Sequence, residues 1–538
     1  MTTTTPLGPT TTTRPSGEGG DEEVRQVEEV REPSAGAVHR TSRNSRRPLD
    51  RTTRLRRALA RPTSLVVMVS MVVGAAVRFD IPRGLWLDEA ISVSVARMPY
   101  GAMIHRLATA DNHPPLYFTA LWGSIRLVGQ SEVALRVPSI LFGMLLIPLV
   151  YLLGKEAYDR KTGAVAAIFV SVAPFAVWYS QEVRPYELLM VFGVLALWAQ
   201  LRILRRGGWY PWVVFSVAVV AMVGTQYFGV WQLAVQELVF VGAIVLRWRR
   251  HQRPGALLRG WVSSTVPVAL ALVPLALLMK QQYSADQATG QAFGGAASVG
   301  INTGSHSIYS VITNFGYSII GFHSTSVMSE VNSFWPLAML GALALLGRRS
   351  KPVTYLLVAM VAVPVTLMFV LAGFKGSLGD VRYLSTTVPV LLLLMARAGT
   401  VLATSRRALN VVVVGVVAVM AVGLFDQQFS SSNPRRYNFR EALARVNSHA
   451  RPGDIILYDP VDDELNTVVD YYSPHVRSAP LSPGSSVKAG HTVFVVASPT
   501  LMNTSDRSTL YSGLSHLGEH GHRIEHWVFP NVEVWVYR

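Results

Sequence analysis

From residue 64 to residue 425 the chain is a succession of apolar runs separated by short polar ones, about eleven runs in all. Each is roughly 20 residues long, the length a helix needs to cross about 30 Å of hydrocarbon. The pattern predicts a polytopic α-helical membrane protein. The first run, "SLVVMVSMVVGAAV" from Ser64, follows a block rich in arginine. A cleavable signal sits at the extreme N-terminus, so this run reads as a retained signal-anchor helix. One helix-like stretch, "PPLYFTALWGSIRLVG" (114–129), reads as juxtamembrane or re-entrant. A loop over 281–330, without lysine or arginine, reads either as a lid or acceptor guide beside a cavity or as a plain disordered connection. After about residue 426 the pattern changes. A helix "REALARVNSH" (440–449), strands "DIILYD" (454–459) and "TVFVVAS" (492–498), and a terminal alternating "VEVWVYR" (532–538) predict a small α/β domain over 427–538.

Composition agrees. Half the residues are hydrophobic, 15% are charged and the mean hydropathy is +0.31, which excludes an ordinary soluble domain. The absence of cysteine removes disulfides and thiolate metal sites. Residues 1–63 are rich in Thr, Pro, Glu and Arg and predict a disordered basic tail. Its segment Arg40 to Arg61 holds nine arginines against one acid, Asp50. Such a block anchors topology and touches anionic membrane lipid; nucleic acid is not an expected partner.

Charge then orients the bundle. Among the loops that follow residue 150, one alternating set carries sixteen lysines and arginines, among them Lys155, Arg205, Arg247, Arg348 and Arg406, whereas the other carries three, Arg184, Lys375 and Arg382. The positive-inside rule places the first set and the N-terminus in the cytoplasm, provided that 114–129 does not cross. Residues 64–426 form the membrane domain. The segments 80–132 and 281–330 and the C-terminal domain then lie outside.

Some polar residues are not topology signals. "GLWLDEAISV" (84–93) puts Asp88 and Glu89 side by side at a membrane edge, where carboxylates require solvent or partners. Asp88 as a helix cap is the plainer reading, but it leaves the other clusters unexplained. These are "DNHPPLYF" (111–118), "WYSQEVRPYELL" (178–189) and "GDVRYL" (379–384). All fall on the same predicted face, so they converge on one cavity if the parity holds. Carboxylates, a histidine, arginines and tyrosines there suit a substrate with both hydroxyls and phosphate.

The acidic pair after the first helix, His113-Pro114-Pro115-Leu116-Tyr117 and "SQEVRPY" resemble the membrane glycosyltransferases of C-type fold. The likeness is to the protein mannosyltransferase-like family (family 39) and its bacterial relatives, which include lipid A aminoarabinose transferases. It spans roughly residues 64–400. The resemblance implies transfer of a monosaccharide from a polyprenyl phosphate to a lipid, glycan or protein hydroxyl outside the membrane, in envelope glycan or glycoprotein synthesis. It implies Asp88 as the base, with Glu89 orienting it or contacting the acceptor. A polyprenyl phosphate leaves as a stabilised anion, so cations take the place of a second catalytic carboxyl: Arg184 and Arg382, supported by Lys375 and His113. Tyr186 and Tyr383 accompany the two arginines. Glu182 is open to three roles: binding sugar hydroxyls, holding a divalent cation as a second acid does in some relatives, or pairing with Arg184.

Two other classes fit less of the pattern. A secondary transporter or flippase places its charges mid-helix and shows internal repeats, neither of which is evident here. A scaffold for envelope assembly predicts that the outer acids and arginines are replaceable. Richness in Ala, Val and Arg points to the plasma membrane of a high-GC bacterium. In the tail, "HLGEHGHRIEH" reads as solvated surface, because Gly518 and Gly521 argue against a helix presenting His516 and His520 together.

Overall fold

A computed structural model describes residues 62–289, 352–375 and 381–538, the last stretch with gaps at 431–432, 434–436, 460–464, 483–484, 488–489, 500–501 and 503. The predicted tail up to residue 61 and most of the predicted loop 281–330 lie outside the described residues.

Helix α1 (Pro62–Phe79) enters first, followed by three short helices, α2 (Leu87–Arg97), α3 (Tyr100–Ala110) and α4 (Pro115–Val128). Proline opens α4, where a missing N–H costs nothing, and Gly129 at φ 100° closes it. Its 14 residues rise about 21 Å, too little to cross a bilayer, in keeping with a juxtamembrane helix. Then come α5 (Glu132–Ala157), capped by Ser131, and the pair α6 (Arg160–Val172) and α7 (Pro174–Ser180), bent by 57° where Pro174 interrupts the ladder. After them run α8 (Tyr186–Arg206), α9 (Tyr210–Thr225), α10 (Gly229–Arg249), α11 (Gly255–Thr289) and α12 (Pro352–Lys375). A 3₁₀ turn, Val381–Thr387, leads into α13 (Val388–Leu402), and α14 (Arg406–Phe429) completes the bundle.

Among the described residues seven helices are long and apolar enough to cross a membrane, the bent pair makes an eighth, and Tyr210–Thr225 and Pro352–Leu367 are shorter apolar helices. The remaining crossing expected from the sequence lies between 330 and 348, outside the described residues. Helix α11 continues to Thr289, so the predicted loop does not begin at 281. The core is formed by α5–α8 and α13, with Leu146, Phe169, Phe175, Leu197 and Leu392 buried together.

Helix ends gather in two groups. At one, Gln181 binds the carbonyls of Val77 and Asp80, Gln428 binds Gln181, and Gln282 at the end of α11 donates to His113 O. At the other, Arg202 and Arg206 pair with Glu156, and Arg397 with Asp159.

The C-terminal part is α/β, as the alternating pattern predicts. Helix α15 (Phe439–His449) precedes β1 (Ile455–Tyr458), α16 (Leu465–Tyr472), β2 (Arg477–Pro480), β3 (Val493–Ala497), α17 (Thr504–His520), β4 (Arg523–Phe529) and β5 (Val532–Tyr537). The sheet order is β2-β1-β3-β5-β4, with β1 parallel to β2 and β3, and β5 antiparallel to β3 and β4. This part packs on the helix that carries Asp88: Leu87 and Ala90 of α2 are buried with Phe439, Leu443, Val468 and Val469. One expectation fails here. Gly518 does not break α17, which runs through His520 and brings His516 and His520 together with ring centroids 4.5 Å apart.

Candidate active site

The site is assembled from α2, the turn before α4, the segment between α7 and α8, and the 3₁₀ turn before α13. Asp88 lies in the first turn of α2, where the helix dipole favours an anion. Its carboxylate accepts from Arg382 Nη1 at 2.8 Å and faces Arg184 Nη2 at 3.4 Å. Arg184 also donates to Ser92 Oγ at 3.2 Å, and its Nη2 meets His113 Nε2 at 3.0 Å. On the other side of the imidazole, Asp111 Oδ1 lies 2.7 Å from Nδ1. The four expected groups Asp88, Arg184, Arg382 and His113 therefore form one cluster, drawn from chain segments up to 294 positions apart. Burial raises the Asp88 carboxyl, but the charges of Arg184, Arg382 and His113 outweigh it and hold the group below the usual carboxylate range. Burial likewise opposes Arg184, whose guanidinium is nonetheless pushed up by Asp88. The Asp88 side chain keeps 22% of its surface open, against 7% for Arg184. The acid is thus the more accessible member of the pair.

The structure corrects two carboxylates. Glu89 neither contacts Asp88 nor reaches outward. It is fully buried, accepting from Arg136 Nε at 3.1 Å, Arg136 Nη2 at 2.8 Å, Val183 N at 3.0 Å and Trp86 N at 3.3 Å. The bond to Trp86 N is the capping contact of α2, so the cap expected of Asp88 is made by Glu89. Glu182 does not pair with Arg184. It faces Arg83 at 3.5 Å and accepts from the Trp178 indole at 2.5 Å, while the Arg83 guanidinium stacks 3.5 Å above that ring. Burial brings Arg83 down to about 10 despite Glu182. Tyr186 lies under Arg184, its ring centroid 5.8 Å from the guanidinium carbon, and Tyr383 stacks on Phe228 at 4.1 Å. Lys375 ends α12; its side chain lies outside the described residues.

The dolichyl-phosphate-mannose-protein mannosyltransferase family matches residues 112–283. No curated protein matches the chain in sequence. The crystal structure of ArnT from Cupriavidus metallidurans in the apo state superposes with a TM-score of 0.53, covering 88% of this chain and 97% of that one at 12% identity. The fold is that of a C-type membrane glycosyltransferase. The same ArnT bound to undecaprenyl phosphate covers the same shares at 12% identity, with a TM-score of 0.50.

Within this C-type fold, Arg136, Arg83 and Asp111 are the site residues that sequence reasoning missed. Arg136 carried a signal: it is a cation one turn into an apolar helix, four residues after Glu132. Such a residue in a membrane segment demands a buried acid, and Glu89 supplies it. A divalent cation fits this donor set poorly. Asp88, Glu89, Asp111 and Glu182 each already face a cationic or imidazole group of the chain. Among the described residues, His516, Glu519 and His520 on α17 are the group of three donors close enough to share an ion, and they are solvent-facing to half-buried.

Proposed function

We propose that this protein transfers a monosaccharide from a polyprenyl-phosphate donor to an acceptor hydroxyl on the extracytoplasmic side of the membrane, with inversion at the anomeric carbon. The observation that carries the reading is the position of Asp88 between two arginines, with His113 against one of them. A phosphate entering this cluster competes with Asp88 for Arg184 and Arg382. Donor binding thereby frees the carboxylate beside the anomeric carbon, where it takes the acceptor proton as the hydroxyl attacks. The carbon–oxygen bond to phosphate breaks, and the arginines stabilise the charge that develops on the departing oxygen. Glu89 serves by fixing α2 against Val183 and Arg136, not by touching substrate. Similarity in fold to ArnT, which binds undecaprenyl phosphate, supports the choice of donor class.

The test is a lipid analysis. Deleting the gene removes the step that consumes the donor, so one polyprenyl-phosphate sugar accumulates in the membrane and mass spectrometry names the sugar. Restoring the wild-type gene clears it, whereas a gene carrying both Arg184→Gln and Arg382→Gln does not. An unchanged lipid-linked sugar pool after deletion would refute the proposal.

A further inference from the structure

One cavity among the described residues lies at the end of the bundle opposite Asp88. It has a volume of about 800 Å³ and opens between the ends of α8 and α10 and the starts of α9 and α11. Helix α8 links the two regions, from Tyr186 near the site to Arg206 at the cavity, a rise of about 30 Å. A single lipid phosphate cannot serve both places.

Three arginines line the cavity: Arg205, Arg206 and Arg247. Of these, Arg206 pairs with Glu156 at 3.2 Å, an acid it shares with Arg202, and keeps 61% of its side chain exposed. Arg205 and Arg247 donate to backbone carbonyls, of Ala157 and Leu204, which leave their charge uncompensated. Below the arginines the lining becomes apolar, with Val213, Val217 and Pro267 exposed along α9 and α11. Trp209, 79% exposed, and Trp212 stand at the same level, as aromatic side chains do where hydrocarbon meets headgroups. Ser263 adds a hydroxyl to the wall. Cations at the mouth, indoles beside them and an aliphatic wall running into the membrane match one kind of molecule.

We infer that this groove binds an anionic phospholipid, its phosphate against Arg205 and Arg247 and an acyl chain along Val213, Val217 and Pro267. The charge excess favours this occupant over a zwitterionic lipid, and the apolar wall favours it over free phosphate. The inference stands on the cavity alone and is independent of the chemistry proposed for Asp88.

The test uses the purified full-length protein, delipidated and reconstituted with equal parts of phosphatidylglycerol and phosphatidylcholine. After extraction in neutral detergent, mass spectrometry counts the lipid that remains bound. Wild type is expected to retain phosphatidylglycerol preferentially. Arg205→Gln and Arg247→Gln should each cut that preference roughly fivefold. Ser263→Trp leaves every arginine in place but obstructs the groove, and it should abolish the preference even if the arginine variants fold poorly. The same lipid ratio in wild type and Ser263→Trp would overturn the inference. So would full displacement by inorganic phosphate, or retention of added undecaprenyl phosphate in place of phosphatidylglycerol that Ser263→Trp abolishes.

Discussion

Asp88 and Glu89 occupy one helical turn but sit in different surroundings, and the surroundings assign their roles. Glu89 is sealed against Arg136, so replacing it by glutamine leaves the buried guanidinium only the more distant Glu132, at 3.6 Å and shared with Arg440. Loss of one partner from such a pair costs about 3–5 kcal/mol. Glu89→Gln should therefore lower the unfolding midpoint substantially, which a thermal melt in detergent reads directly. In the proposed reaction the arginines that hold Asp88 are also the ones that take the donor phosphate, and its pH behaviour follows. A carboxyl lowered by Arg184 and Arg382 is ionised through the neutral range and stops working as a base only when pH falls through that lowered value. Once phosphate takes the arginines, the carboxyl loses their support and its pKa rises. The acid limb of kcat should thus lie at higher pH than the acid limb of kcat/KM, since the first reports the bound and the second the free enzyme. Coincident limbs would mean that donor binding does not release Asp88.

At the scale of elements, α2 is gripped from two sides. From the bundle, Arg136 holds Glu89. From the C-terminal part, the Tyr472 hydroxyl accepts from Leu85 N at 2.6 Å and donates to Glu132 at 2.8 Å, and Arg440 binds Glu132 and the carbonyl of Arg83. Tyr472→Phe together with Arg440→Gln should let α2 drift. We expect kcat to fall roughly tenfold with the affinity for undecaprenyl phosphate nearly unchanged, because misplacement of a base by a fraction of an ångström acts on the reaction step. Restoring Arg440 alone should recover part of the rate. Much of this arrangement was legible in the sequence. Charges at the ends of apolar runs reveal themselves because lipid does not tolerate them, which is how Asp88, His113, Arg184 and Arg382 could be grouped. The roles of Glu89 and Glu182 were not legible, since their partners, Arg136 and Arg83, lie in segments read only as helix or topology. Strand β2 (Arg477–Pro480) was missed because a four-residue edge segment with one exposed arginine and a proline carries no alternation. The α17 histidines were misjudged because a glycine in a helix interior costs only about 1 kcal/mol, less than the packing that Leu510, Leu514 and Leu517 contribute.

For the whole molecule, the account requires two chemically distinct ends. One gathers Asp88 and its arginines; the other gathers Arg202 and Arg206 around Glu156, with Arg205 and Arg247 beside them at the proposed lipid groove. The chain has no cysteine, so single introduced thiols give a clean assay of orientation. In intact cells a membrane-impermeant maleimide should label Ser448→Cys, on the exposed side of α15, and should label Gln252→Cys only after permeabilisation. The reverse pattern would place the site in the cytoplasm.

The most direct measurement is made on purified Asp88→Asn, comparing sugar transfer with undecaprenyl phosphate binding in the same preparation. With the competing carboxylate charge gone, phosphate should bind at least as tightly as to wild type, while transfer falls by about 100-fold or more. Near-normal transfer, or loss of phosphate binding in step with transfer, would contradict the account.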